Sequence, residues 1–309
     1  MPRLTRGRDR RGMTLPEVLI AIIILAIVGT ALTRVLVKQQ QFYKDASATT
    51  VSKRELRLGA SVLPSELRSI SSSGGDILEM SESEITMRAY TGTSVICART
   101  PNDEIWLPPA NLANHTLTSF VSEPQVNDTV FIYNENTEKG SEDDLWEQRY
   151  ITAVGTSTAH CVGAPYTDAT FDPPGTKPRY HITLDSDLPA EVLVGAVIRF
   201  SRPVRYKIYQ EASGNWYLGL QQYDGAWGAA SPMAGPYRAF TAGDNGLTGL
   251  QFRYYDTLGT RITAMANRTD VARADVYLRT NAGTSAITER NGATLRDSVL
   301  MRVAIRNFK

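Results

Sequence analysis

The chain has 309 residues, 42% of them hydrophobic, with 33 Lys and Arg against 32 Asp and Glu. That is enough length for a substantial core. The near-balance of charge indicates no broad basic face and argues against nucleic-acid binding. Residues 1–11 hold five Arg and one Asp, a local charge of +4, and Val18–Thr33 then carries no charge. At ~1.5 Å per residue those residues span about 24 Å, slightly short of a ~30 Å hydrocarbon core. Leu15 and Pro16 extend the run at one end; the stem of Arg34 with Val35, Leu36 and Val37 extends it at the other. The basic leader favours the cytoplasmic side. Glu17 stands alone at the head of the apolar run, where an unpaired carboxylate is costly. A cleaved secretory signal would use Gly29, Thr30 and Ala31 as its small residues, and a plain single-pass anchor is a further alternative. Glu17 argues against the signal.

The segment RRGMTLPEVLIAIIILAIVG resembles the N-terminal cleavage and methylation motif of type IV pilins and type II secretion pseudopilins. The resemblance implies cleavage by a prepilin peptidase after Gly12, N-methylation of Met13, and pairing of Glu17 with the terminal amine of a neighbouring subunit. Met13 departs from the commoner Phe; Thr14, Leu15, Pro16 and Glu17 match in order. Pro16 lies in the first helical turn, where a missing N–H does no harm. Ala21, Ala26, Gly29 and Ala31 give the helix small surfaces for close approach.

Beyond Val37 the helix turns polar. Leu56, Ala60, Leu63, Leu67 and Ile70 recur at steps of four and three, one helical face expected to lie on a sheet. Pro64 is expected to kink or restart the helix, and Gly74 and Gly75 to end it. The divisions are a leader (1–12), a membrane half-helix (13–37), an amphipathic half-helix (38–73) and an exported β-rich domain (74–309).

Alternation then dominates. EITMRAY, TVFIYNE, EVLVGAVIRFS, VRYKIYQE, NWYLGLQQY, LTGLQFRYYD, ADVYLRT and SVLMRVAIRNF are predicted strands. Turn signals stand at SGN after Ala212, at Ala242–Gly246 and at DTLG after Tyr255. The fold class is α+β: a long N-terminal helix, transmembrane then amphipathic, followed by a mainly antiparallel, pilin-like sheet domain. Residues 99–119, 134–149 and 162–180 are expected to be surface loops. The segment from Gly246, ending in Arg306 and Asn307, is similar to the closing portion of PilW-like minor pilins and J-type minor pseudopilins.

Cys97 and Cys161 fall in the part expected to be exported, where oxidising conditions favour a disulfide; the alternative is two buried thiols. His115, His160 and His181 are the three histidines, and no HExxH or CxxC occurs, so metal ligation is not expected. Asp143, Asp144, Asp244 and Asn245 offer oxygen ligands, which keeps calcium open as the one cofactor; solvated turns are the simpler reading. No GxSxG, P-loop or dinucleotide fingerprint is present, so no enzyme is expected. Trp216, Tyr217, Tyr223, Trp227 and Tyr237 are cross-strand or core residues, or else part of a contact surface.

The resemblance implies a minor pilin that primes or caps a type IV pilus. A pseudopilin at the tip of a type II secretion pseudopilus, and a tip adhesin on a pilin anchor, are the alternatives. The implied partners are other pilins or pseudopilins, the prepilin peptidase, the inner-membrane assembly platform and membrane lipid. The implied location is the inner membrane, single-pass with a cytoplasmic leader, and then the filament tip.

Overall fold

The computed structural model describes residues 14–100, 102–110, 117–135, 145–161, 166, 176–243, 248–281 and 296–305. The chain divides into two compact units, residues 1–51 with 282–295 and residues 52–281 with 296–309. One helix, α1 (Leu15–Ser69), contributes to both. In the first unit α1 has no buried residue, and its large apolar side chains from Leu15 to Val37 are all exposed. Its two mid-span hydroxyls are satisfied internally: Thr30 donates to Ile27 O and Thr33 to Gly29 O, each at 2.8 Å. Such back-bonding lets a hydroxyl sit in apolar surroundings.

In the second unit α1 buries one stripe, Ser52, Leu56, Gly59, Leu63 and Leu67, with Ile70 just beyond the helix. This is the predicted face with one exchange: Gly59 takes the close contact expected of Ala60, which is only half-buried. A Cβ at Gly59 would come within 2.5 Å of Tyr237 Oη and 2.8 Å of Leu278 Cδ1, so the missing side chain is what lets the helix approach. Tyr237 Oη donates to Glu55 O at 3.1 Å, and the hydroxyls of Ser52 and Thr280 are hydrogen-bonded. The helix does not restart at Pro64 but continues through it to Ser69. Proline removes one backbone bond there, and the flanking Leu63 and Leu67, both fully buried, hold the backbone to the sheet.

The helix then stops in a closed turn. Gly75 adopts φ +80°, Gly75 N donates to Ser72 O and Asp76 N to Ser71 O, and the Asp76 carboxylate accepts Ser71 N at 2.7 Å. The strands follow as β1 (Ile77–Met80), β2 (Glu84–Val95), β3 (Ala98–Arg99), β4 (Glu104–Trp106), β5 (Ser119–Phe120), β6 (Thr129–Asn134), β7 (Leu145–Ser157), β8 (Arg179–Leu184), β9 (Val197–Gln210), β10 (Trp216–Gln222), β11 (Ser231–Tyr237), β12 (Leu250–Tyr255), β13 (Arg261–Ile262), β14 (Arg273–Asn281) and β15 (Arg296–Ala304). Every pairing among the described residues is antiparallel. The main path runs β13-β12-β14-β11-β10-β9-β6-β7-β8-β4-β3.

Strand β9 organises the domain. It pairs along its length with β2 on one side; on the other it pairs with β6 over Ile198–Ser201 and with β10 over Val204–Gln210. Pro203, which has no N–H to give, falls in the gap between those two partners. Val204, Tyr206 and Ile208 join a core with Leu56, Leu63 and Leu67, while Ile198 and Phe200 join a second core with Val130, Ile132, Ile151 and Ile182. Strand β2 serves both by a bulge between Tyr90 and Gly92. The extra residue switches its inward set from Ile85 and Met87 to Ser94 and then Ile96, just past the strand. Between the cores Arg202 is 4% exposed and donates to both oxygens of Asp128 at 2.6 and 2.8 Å, to Ser122 Oγ and to Glu123 O. Such a pair is strongly destabilising to break, because it strands a buried charge.

The hairpin VRYKIYQEASGNWYLGLQQ forms in register, Gln210 opposite Trp216 and Val204 opposite Gln222. Three expectations need correction. Residues 191–196 are a turn, with Gly195 at φ +102°, and the two strands expected around Pro203 are one. The stretches expected as loops contain β4 and β5, the start of β7 and the start of β8. Strand β11 occupies SPMAGPY, where two prolines and a glycine hide it.

Several tyrosines tie the core to pH. Burial pushes the phenols of Tyr206, Tyr237 and Tyr254 above the usual range, with nearby Glu66, Glu55 and Glu84 adding to it; that of Tyr180 is pushed up to about 12, again first by burial. The folded state thus holds these protons more tightly than the unfolded chain does. The stability they contribute is complete below the unfolded value of about 10 and is lost as pH rises through the folded values. Urea unfolding of the full chain in detergent is expected to give a midpoint that falls above about pH 10, with a shallower fall in Tyr237→Phe. A midpoint that is flat or rises with pH would contradict this.

Candidate functional site

Two places carry the residues singled out by sequence: the head of α1 and the disulfide region. Gly12 and Met13 lie outside the described residues. Glu17 is the third residue of α1 and Thr14 immediately precedes the helix. Glu17 N donates to Thr14 O at 3.0 Å, and Thr14 N donates to Glu17 Oε2 at 3.4 Å. This is the reciprocal arm of a capping box, T-x-x-E, in which the third-position carboxylate reaches back to an orphan N–H. The carboxylate also lies where the helix dipole favours a negative charge. Its bond is long and the residue is exposed, so the carboxylate stays accessible to a cation arriving at the helix head. The sequence TLPE itself carries this capping signal.

Behind Glu17 the helix is long and apolar enough to cross a membrane. Ala21, Ala26, Gly29 and Ala31 are exposed, and a Cβ at Gly29 would meet nothing within 4 Å. The hydrophobic surface of this segment has no covering partner among the described residues of the first unit, as for a helix that takes lipid or other helices as its surroundings.

Cys97 and Cys161 form a disulfide with Cα atoms 5.4 Å apart, closing a sequence separation of 64 residues. The bridge ties the end of the β2 segment to the end of β7. Beside it, buried Trp106 is stacked on one side by His160 at 4.2 Å and on another by His181 at 4.5 Å between ring centroids. His181 Nε2 also lies 3.6 Å from Glu104 Oε1. His160, His181 and the two cysteines are therefore used for ring packing and cross-linking. Among the described residues no group of three or more His, Cys, Asp or Glu is placed to hold a metal ion. His115, Asp143, Asp144, Asp244 and Asn245 lie outside the described residues, as do Arg306 and Asn307.

The aromatic residues of the β10–β11 region do not form one patch. Tyr237 is buried under the helix, Tyr217 pairs across β9 with Tyr209, and Trp227 packs edge-on to Tyr223 with Arg205 4.1 Å from its ring centre.

A family model described as the prokaryotic N-terminal methylation motif matches residues 7–33. No curated protein and no solved structure matches the chain. The motif, the apolar helix behind it and the antiparallel sheet domain have together a pilin- or pseudopilin-like architecture.

Reducing the disulfide is expected to lower the free energy of unfolding by ~2–4 kcal/mol, because the unfolded chain regains the freedom of a long closed loop. Urea titrations of the full chain with and without dithiothreitol measure it. An unchanged midpoint would mean that the bridge adds nothing to stability.

Proposed function

We propose that the chain is a minor pilin, cut by a prepilin peptidase between Gly12 and Met13, N-methylated at Met13 and assembled near the tip of a type IV pilus. The observation that carries the reading is the combination at the helix head: a methylation motif over residues 7–33 and an accessible Glu17 carboxylate at the first turn of an uncovered apolar helix. Removal of the leader takes away five Arg and one Asp and leaves the apolar span intact. The subunit stays membrane-held and gains an amine close to Glu17. In hydrocarbon that carboxylate needs a cation, and the terminal amine of an adjacent subunit is of the right charge.

The size of the sheet domain favours a priming or capping position. A domain built from residues 52–281 and 296–309 is bulky for a repeat that stacks many identical copies. At an end nothing has to stack above it. The partners on this reading are other minor and major pilins, the peptidase and the inner-membrane assembly platform, with the sheet domain on the exported side. The disulfide supports export, since such bridges persist in oxidising compartments. The tip of a type II secretion pseudopilus is the corresponding position in the related machine.

Glu17→Ala is expected to leave membrane insertion unchanged and to reduce the amount of this chain in sheared filaments by more than about tenfold, the equivalent of ~1.4 kcal/mol of lost pairing. Immunoblots of membrane and filament fractions measure both. Filament incorporation at the unsubstituted level would remove the pairing role from Glu17.

A further inference from the structure

On the outer face of the central sheet, opposite the second core, β2, β9, β6 and β7 present a continuous set of side chains. Tyr90 stands opposite Ser201, Arg199 opposite Phe131, Phe131 opposite Gln148, and Tyr133 opposite Trp146. The turn after α1 rises beside this face and closes it into a cleft of 530 Å³ lined by Asp76, Arg88, Tyr90, Phe131, Trp146, Gln148 and Arg199, among others. That volume lies within the ~300–1,000 Å³ of small-molecule sites, whose usual make-up is aromatic walls with a few convergent polar groups.

The cleft is built. Arg88 is fixed by donation from Nη1 to Gly75 O at 2.5 Å, its guanidinium lies 5.8 Å from the Phe131 ring centre, and its buried Nε has no hydrogen-bond partner among the described residues. The Arg199 guanidinium stacks on Trp146 at 4.4 Å and is exposed. Tyr90 and Trp146 are 48% and 40% exposed, which leaves ring surface open at the mouth of the cleft. Asp76 faces the same cleft, and burial raises its carboxyl above the usual range against the opposing effects of Ser71 N–H and Arg88.

We infer that this cleft binds a carboxylated saccharide, with a sugar C–H face on Tyr90 and Trp146, the carboxylate on Arg199 and Arg88, and hydroxyls on Asp76 and Gln148. Three features select this chemistry. The polar groups are too many for an acyl chain, whose entry would leave them unpaired. Two arginines against one aspartate suit a single negative charge, and planar guanidinium groups bind carboxylate through paired N–H donors. The aspartate supplies an acceptor for hydroxyl groups while repelling the second charge of a phosphate monoester. The site is independent of the filament reading, since every lining residue belongs to the second unit and none to the apolar anchor.

The test is calorimetric titration of the full chain in detergent micelles with tetragalacturonate, its fully methyl-esterified form and adenosine monophosphate. Tetragalacturonate is expected to bind saturably. Esterification is expected to weaken binding by at least about tenfold, the loss of one charge-assisted contact. Trp146→Ala and Arg199→Gln, both outward-facing and checked for an unchanged urea midpoint, are each expected to weaken it similarly. Absence of saturable binding, equal binding of the ester, insensitivity to both substitutions, or tighter binding of the nucleotide would each overturn the assignment.

Discussion

The fold depends on one contact: the stripe Ser52, Leu56, Gly59, Leu63, Leu67 and Ile70 lying on the sheet made by β9, β10, β12 and β14. Hydrophobic burial is the main favourable term in folding, and these leucines are almost wholly removed from water. The contact requires close approach, which Gly59 permits and the Tyr237 hydroxyl completes by bonding to the Glu55 carbonyl. It also explains why a helix with Pro64 inside it persists: tertiary packing supplies what the backbone ladder lacks. Before Ser52 the same helix buries nothing. One helix therefore carries two different instructions: an exposed apolar surface before Ser52 and a buried stripe after it.

Strand β9 extends that arrangement into a domain with two cores. A strand of 14 residues is long enough to serve both, but its partners differ on either side of Pro203, and the bulge in β2 re-aims the paired strand accordingly. The Arg202–Asp128 pair sits at the junction. Breaking it would leave a charge buried without its partner, which is strongly destabilising. The disulfide belongs to a small separate cluster with Trp106, beside the second core's strands β4 and β8.

The N-terminal motif, the helix, its buried face and the β9–β10 hairpin were legible in the sequence because each is written in local chemistry. Glu17 breaks an otherwise apolar run, the leucines keep helical spacing, and the residues Ser213, Gly214 and Asn215 form a turn between alternating strands. What was not legible depends on partners far along the chain. Strand β7 has one buried residue, Ile151, in its whole length, so it shows no alternation to read. Strand β11 is defined by where Tyr237 must go, under the helix, and its two prolines argue against a strand by any local rule. The merging of residues 197–210 through Pro203 is permitted only by the gap between β6 and β10. At the site Glu17 stands out in the sequence as a lone charge at the head of an apolar run, but its bond from Thr14 N depends on where the helix begins. The cleft beside Trp146 was invisible because its lining comes from four separated strands and a turn.

The central claim is that this chain enters the pilin pathway through its first residues. The most direct measurement is intact mass and N-terminal analysis of the protein purified from membranes of cells with and without prepilin peptidase. The account predicts a chain beginning at N-methylated Met13 when the peptidase is present and at Met1 when it is absent. A chain that keeps its leader in both, or one cut after the apolar run, would contradict it and make this an ordinary anchored or secreted domain.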